Sequence, residues 1–475
     1  MQLAYEPLSA EDRMFLACER PNVHMHVAAT LVFDAGSRTG RAGPDVERVL
    51  RFVESRLALV PRYRQRLRFA ALAREPVWVD DDRFDIAYHV RHVVAPQPGD
   101  DAALKRIAGH IISRPLDRSR PLWQLWVVTG LSGDRFAVVA KLHHCMVDGI
   151  ASADLLVALL APQPSSTFDA AAPFVPRPAP SRWHLLRRAV ERRLRLPLTV
   201  AEEAGRLVTH PSAAVEWIER GLGLWESLAA GLRGSPDSPI NRPIGPHRRF
   251  DWTTLDLDAV QAVRGRLGGS INDVALATVA GALHRFILER HPDARLADLR
   301  VLVPVNMRGR DDRHDLGNRV SGWLVTLPVC DADPLRRYAA VRRATEALKA
   351  SRQHLGGQIL TSAGSALLGA GLRLVEQIAP FNLLVTNVPG PREPLYLLNA
   401  RLRHVYPAAP LFPRQGLALA LFSHAGTLCV GIHADCHVVP DTERLVGAID
   451  ASFNELWAAA GEPADQSAPR RASAG

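Results

Sequence analysis

The chain has 475 residues, 47% of them hydrophobic, with 58 Lys and Arg against 49 Asp and Glu. That length suits two or three domains and that apolar fraction a filled globular core, which sets aside a disordered chain. The basic excess suits an anionic partner, a nucleotide-bearing molecule or a lipid surface; nucleic acid is not expected, because the basic residues do not alternate with aromatics in one patch.

Cys18, Cys145, Cys330, Cys429 and Cys436 are scattered at spacings that fit neither a disulfide framework nor a zinc site. A reducing compartment and no bound metal are the expectation. No basic segment followed by an apolar one opens the chain, so no signal peptide is expected. The longest uncharged window, residues 353–372, is broken by Gly356, Gly357, Gly364, Gly369 and Gly371. A spanning helix needs about 20 predominantly apolar residues, so the expectation is a cytoplasmic protein.

In chain order, residues 8–19 predict a short helix, with Ser9 as N-cap and Asp12 three residues on. Met25, Val27, Ala29, Leu31 and Phe33 recur with a period of two, which predicts a strand. A helix is expected over residues 45–57, strands at 77–79 and 89–94, and a helix over 102–112. Pro121, Leu122 and Trp123 then feed a strand to Val128. Residues 136–149, FAVVAKLHHCMVDG, begin as an apolar run interrupted by Lys141 and end in an Asp-Gly turn, Asp148-Gly149. An apolar helix follows over residues 150–160. Residues 161–182 are rich in Pro, Ala and Ser and predict a linker. Beyond them Trp183 is followed by Arg187, Arg188, Arg192 and Arg193 among apolar residues, a pattern open to a solvated face or an interfacial helix. A second amphipathic piece covers residues 215–232.

The second block repeats the grammar. A strand is expected at 252–257, a helix at 271–290, strands near 301–305 and 320–328, and a helix near 335–350. A Gly-rich helical segment, several strands over 383–432 and a last helix at 442–457 follow. The expected architecture is α/β: an N-terminal half at 1–162, a Pro-rich and helical linker at 163–245, a C-terminal half at 246–460 and a disordered tail at 461–475.

His144 with Asp148 is the strongest catalytic candidate, because histidine titrates near neutral pH and can take a hydroxyl proton. Strand alternation predicts that His143 and His144 point apart. Spacing alone favours a plainer reading, in which Asp148 caps a helix and the histidines are core. Cys145 as a nucleophile is disfavoured by the same alternation, and His433, Asp435, Cys436 and His437 read as a strand end entering a turn. Ser270 with Asp273 predicts a capping box, leaving Asn272 free to meet a ligand. Trp123 reads as core.

Together, several stretches resemble the bacterial wax ester synthase/acyl-CoA:diacylglycerol acyltransferases over residues 5–457. They are LSAEDRMFLACERPNVHMHV, PLDRSRPLW, HHCMVDG, NRPIGPHRRF, SINDVALATVAGAL, PVNMR, LGNRVSGWLVTLPV and TNVPGPREPLYLL. The resemblance implies two chloramphenicol-acetyltransferase-like halves joined by a helical linker, with the site in a channel between them. It implies His144 as general base, His143 as its neighbour, Asp148 as loop support and Gly149 as the turn. Asn272 and Asp273 would match an Asn-Asp motif, and Pro121, Leu122 and Trp123 a structural Pro-Leu-Trp motif. It further implies a long acyl group moved from acyl-CoA, a substrate with no separate cofactor, to diacylglycerol or a long-chain alcohol. The expected location is cytoplasmic, peripheral at the inner membrane face or on lipid droplets. A related enzyme with another hydroxyl acceptor, or a non-catalytic acyl-lipid-binding droplet protein, are the alternatives. Asn399, His424 and Ala418 depart from the family pattern at positions expected on channel-forming strands, which bears on acceptor choice.

Overall fold

The computed structural model describes residues 5–34, 44–69, 76–146, 159–181, 183–188, 190–191, 234–306, 320–350 and 380–461. Asp148, Gly149, most of the expected helix at 150–160, the piece at 215–232, the Gly-rich segment and the tail beyond 461 lie outside these residues.

The first half opens with strand β1 (Glu6–Pro7) and helix α1 (Ala10–Cys18), capped by Ser9, whose Oγ accepts from the Asp12 N–H at 3.0 Å. Strand β2 (His26–Asp34), helix α2 (Val46–Arg56), β3 (Gln65–Phe69) and β4 (Pro76–Asp80) follow, then a helical turn α3 (Ile86–His89) and β5 (Val90–Val94). His89 therefore ends a helix and does not begin the expected strand. Asp85 explains this, since its carboxylate accepts from the Ala87 N–H and caps the turn. Helix α4 (Asp101–Ser113), β6 (Trp123–Leu131) and β7 (Arg135–His143) complete the half.

The second half runs β8 (Arg248–Asp256), α5 (Leu257–Leu267), α6 (Ile271–Arg290), β9 (Leu299–Asn306), β10 (Val320–Leu327), α7 (Pro334–Ala350), β11 (Leu383–Pro389), β12 (Tyr396–Leu397), β13 (Ala400–Ala408), β14 (Leu417–His424), β15 (Thr427–Asp435) and α8 (Thr442–Gly461). Its sheet has the order β10-β9-β11-β14-β15-β8. Helix α6 carries an apolar, mostly buried stretch with Val274, Leu276, Val279, Leu283 and Phe286, and packs against α7 and α8. Among the described residues it is the one helix long and apolar enough to cross a membrane, and 72% of that window is buried inside the fold. It is a core helix by its packing.

The first-half sheet has the order β12-β13-β2-β7-β6-β5. The chain thus returns after β11 to add two strands to the other sheet: Val405 of β13 pairs with Leu31 of β2. Residues 396–408 belong by hydrogen bonding with the N-terminal sheet, so the partition of sheets does not follow the chain division at residue 246. The halves are also tied by Lys105 on Asp251, and by α4 packing on β8. Lys141, the charge inside an apolar run, turns its Nζ onto the Ile111 and Arg114 carbonyls at 2.9 Å each, satisfying the C-terminal end of α4.

Candidate active site

The end of β7 is fixed by its neighbours before any histidine is considered. Leu142 pairs with Trp123, and the His143 N–H donates to the Leu122 carbonyl at 2.9 Å. Pro121, Leu122 and Trp123 are buried. The Trp123 indole donates to the Tyr63 carbonyl at 2.7 Å and stacks on His89 at 4.5 Å, while the Trp123 carbonyl meets His89 Nδ1 at 2.8 Å. The Pro-Leu-Trp stretch is a structural wedge that sets the register of the strand carrying His143.

His143 is the last strand residue, and His144 opens a 3-10 turn over His144–Met146. The alternation rule therefore stops one residue short of His144, and the chain itself turns between the two rings. His143 Nδ1 accepts from the Cys145 N–H at 3.1 Å, which assigns the ring proton to Nε2. That nitrogen faces the Glu19 carboxylate at 3.4 Å. Glu19 is held in turn by Arg118, whose Nε donates at 2.7 Å and whose Nη2 makes a second bond to the same oxygen. Burial pushes the Glu19 carboxyl up, but His143 and Arg118 together outweigh it and hold the group below its usual range. Glu19 and Arg118 escaped the sequence reading. They stand 99 residues apart and carry no local signal beyond lying inside the quoted ERPN and PLDRSR stretches.

His144 is half-buried. Its backbone N–H donates to the Met25 carbonyl at 2.8 Å, and its ring stacks on Phe15 with centroids 3.7 Å apart. Burial pushes its pKa down to about 4, against an opposing pull from its own backbone carbonyl. At neutral pH the ring is uncharged and able to accept a proton. Cys145 is buried, and burial drives its thiol well above the ordinary range, so no thiolate stands ready beside the histidines.

Asn272 and Asp273 sit in the first turn of α6. Asp273 is buried and closes a full capping box with Ser270, its second oxygen accepting from Thr345 Oγ1 at 2.7 Å. Asn272 is half-buried and makes no side-chain hydrogen bond among the described residues. Asp435 ends β15, and its carboxylate takes the Gly245, His437 and Val438 N–H groups, the strand end and turn expected. Among the described residues no group of three or more His, Cys, Asp or Glu is placed to hold a metal ion. Of the three departures, Ala418 is buried on β14 opposite His433. His424 is buried at the end of β14, its Nδ1 3.0 Å from the Pro391 carbonyl. Asn399, however, is exposed in the two-residue turn between β12 and β13, not on a strand.

Four buried or half-buried histidines carry a pH prediction. Burial lowers His89 and His144 to about 4 and His433 to about 3, and drives His26 well below its ordinary value of 6.5. Between pH 6.5 and about 4 the unfolded chain therefore binds protons that the native one refuses. Stability is full above pH 6.5 and falls as pH drops through that window, by up to about 1.4 kcal/mol per pH unit for each such histidine. Urea unfolding at pH 7.5, 6 and 5 checks this: the midpoint should fall steadily.

The chain is similar over most of its length to known proteins. Residues 8–275 match the family model described as "Wax ester synthase/diacylglycerol acyltransferase catalytic domain", and residues 316–457 match "WS/DGAT C-terminal domain". The "Probable diacyglycerol O-acyltransferase tgs1" of Mycobacterium tuberculosis H37Rv is 32% identical over 460 residues, covering 95% of this chain and 96% of that protein. A second protein bearing the diacylglycerol O-acyltransferase name, from Mycobacterium tuberculosis CDC 1551, is 33% identical over 468 residues, covering 95% and 90%. Among solved structures, the wax ester synthase/diacylglycerol acyltransferase from Marinobacter aquaeolei VT8 superposes with a TM-score of 0.68 at 24% identity, over 96% of this chain and 100% of that one. The first condensation domain of the calcium-dependent antibiotic synthetase does so with a TM-score of 0.57 at 18% identity, over 97% of each chain. Both share the fold.

Proposed function

The chain belongs to the wax ester synthase/diacylglycerol acyltransferase family and is an acyl-CoA-dependent acyltransferase giving triacylglycerol or wax ester; we propose that His144 is the base of that transfer. The observation that carries this reading is a neutral ring, anchored by its backbone to Met25 and stacked on Phe15, at the end of the strand that the Pro-Leu-Trp wedge sets in register.

An alcohol hydroxyl is too weakly acidic to attack a thioester unaided. His144 takes its proton as the oxygen adds to the acyl carbonyl. When the carbon–sulfur bond breaks, the imidazolium returns that proton to the leaving coenzyme A thiolate. The balance closes with no acyl-enzyme, which agrees with the buried, protonated Cys145. His143 cannot take the same part, because Cys145 N–H occupies its Nδ1 and its Nε2–H is aimed at Glu19. His143, Glu19 and Arg118 form a polar brace behind the base. Asp148 and Gly149 complete the motif as turn and loop support in this reading, and Asn272 is the family-motif residue whose amide makes no hydrogen bond among the described residues. The basic excess suits the phosphates of coenzyme A. No further cofactor enters the scheme.

The test is purified protein with radiolabelled palmitoyl-CoA, offered diacylglycerol or hexadecanol. Labelled triacylglycerol or wax ester is expected; free fatty acid alone, or no product with either acceptor, contradicts the reading.

Peripheral attachment to the inner membrane face or a lipid droplet is part of the proposal. Trp183 is 75% exposed, with Arg187 and Arg188 one turn on, an arrangement that suits an anionic interface. In flotation with anionic liposomes the protein should rise with the lipid, and a Trp183→Ala, Arg187→Ala, Arg188→Ala variant should rise less. Wild-type protein left at the bottom of the gradient removes this part of the proposal.

A further inference from the structure

His26 lies directly across from His143 in the β2–β7 pairing, so the two side chains share a face of the sheet, with ring centroids 5.8 Å apart and edge-on. His24 stands 5.5 Å away on the same chain segment, and His433 of the other sheet is within electrostatic range. The His26 side chain is buried, yet neither ring nitrogen has a hydrogen-bond partner among the described residues. His143 Nε2 and His433 Nε2 are buried and unmet by the same measure, the Glu19 oxygen being long at 3.4 Å.

A neutral imidazole always presents one N–H and one lone pair, and burying both unmet is costly. A phenylalanine of similar shape would carry no such cost. Retaining an imidazole here works against the stability of the fold, which is the pattern of a group kept for the site. We infer that His26 is a positioning residue: it holds an ordered internal water against His143 Nε2, and so completes the brace that fixes the turn carrying His144. The water would take one contact from a His26 ring nitrogen and one from His143 Nε2, the minimum of two that a buried water needs.

The inference rests on His144 as the base, and its test keeps the two apart. His26→Phe, His26→Gln and His144→Ala are assayed side by side for kcat, for KM of acyl-CoA and for melting temperature. His26→Phe should melt at or above wild type, lose about 10- to 100-fold in kcat, and keep KM within about twofold. His26→Gln, which restores a donor and an acceptor, should recover most of kcat. A His26→Phe protein with wild-type kcat overturns the inference, as does a glutamine variant no better than phenylalanine. So does a His26→Phe protein that fails to fold or melts below wild type, because the imidazole then belongs to the fold. If His144→Ala keeps the wild-type rate, the base assignment itself is wrong and this inference goes with it.

Discussion

A His144→Ala variant is expected to lose about 10²- to 10⁴-fold in kcat while remaining folded, with KM for acyl-CoA little changed. The split follows from what the side chain touches. Its ring is half-buried and contacts Phe15, so truncation removes one stacking partner, whereas the backbone bond from the His144 N–H to Met25 survives. The proton transfer proposed for it belongs only to the transition state, so its loss is expected to lower kcat rather than binding. Steady-state assays over both substrates, with circular dichroism on the same preparation, check the claim.

Trp123→Ala is expected to act in the opposite way, through the fold. The indole is fully buried, donates to the Tyr63 carbonyl, stacks on His89 and packs edge-on against Tyr63 at 5.6 Å. Truncation leaves a cavity and an unmet carbonyl, and a loss of about 3–5 kcal/mol is expected. Trp123→Phe keeps the ring but not the donor and should recover more than half of that loss. Thermal or urea unfolding of the pair measures it. Activity per folded molecule should fall less than stability does, because Leu142 remains paired across the β6–β7 ladder at position 123 whatever side chain stands there.

These two residues also show how much was legible in the chain. The periodic elements were: β2 from its period of two, and α6 to both its ends from its apolar run between the Ser270 cap and Arg290. The capping box of Ser270 and Asp273 was legible because both partners lie within one turn. His89 reads as a strand start in the sequence, but the Asp85 cap opens a helical turn that runs through His89 and ends where β5 begins. His144 was placed on a strand that stops at His143, since a local rule cannot see where a ladder ends. Two features had no local trace at all. One is the bond from Arg118 to Glu19, and the other is the return of β13 to the first sheet, set by packing between distant segments. Asn399 looked like a channel residue for the same reason; the two-residue turn that exposes it is a property of the paired strands. At the quoted motifs the structure shows strand pairing at Trp123, a helix cap at Asp273 and a 3-10 turn opening at His144.

The most direct test of the central claim is the pH dependence of kcat/KM, measured in brief assays on enzyme held at neutral pH until mixing. With His144 as a base whose pKa burial has lowered to about 4, the rate should be level from neutral pH down to about 5, fall to half near 4, and show no such limb in the residual activity of His144→Ala. A limb near the ordinary histidine value of 6.5, or the same limb in wild type and His144→Ala, would contradict it.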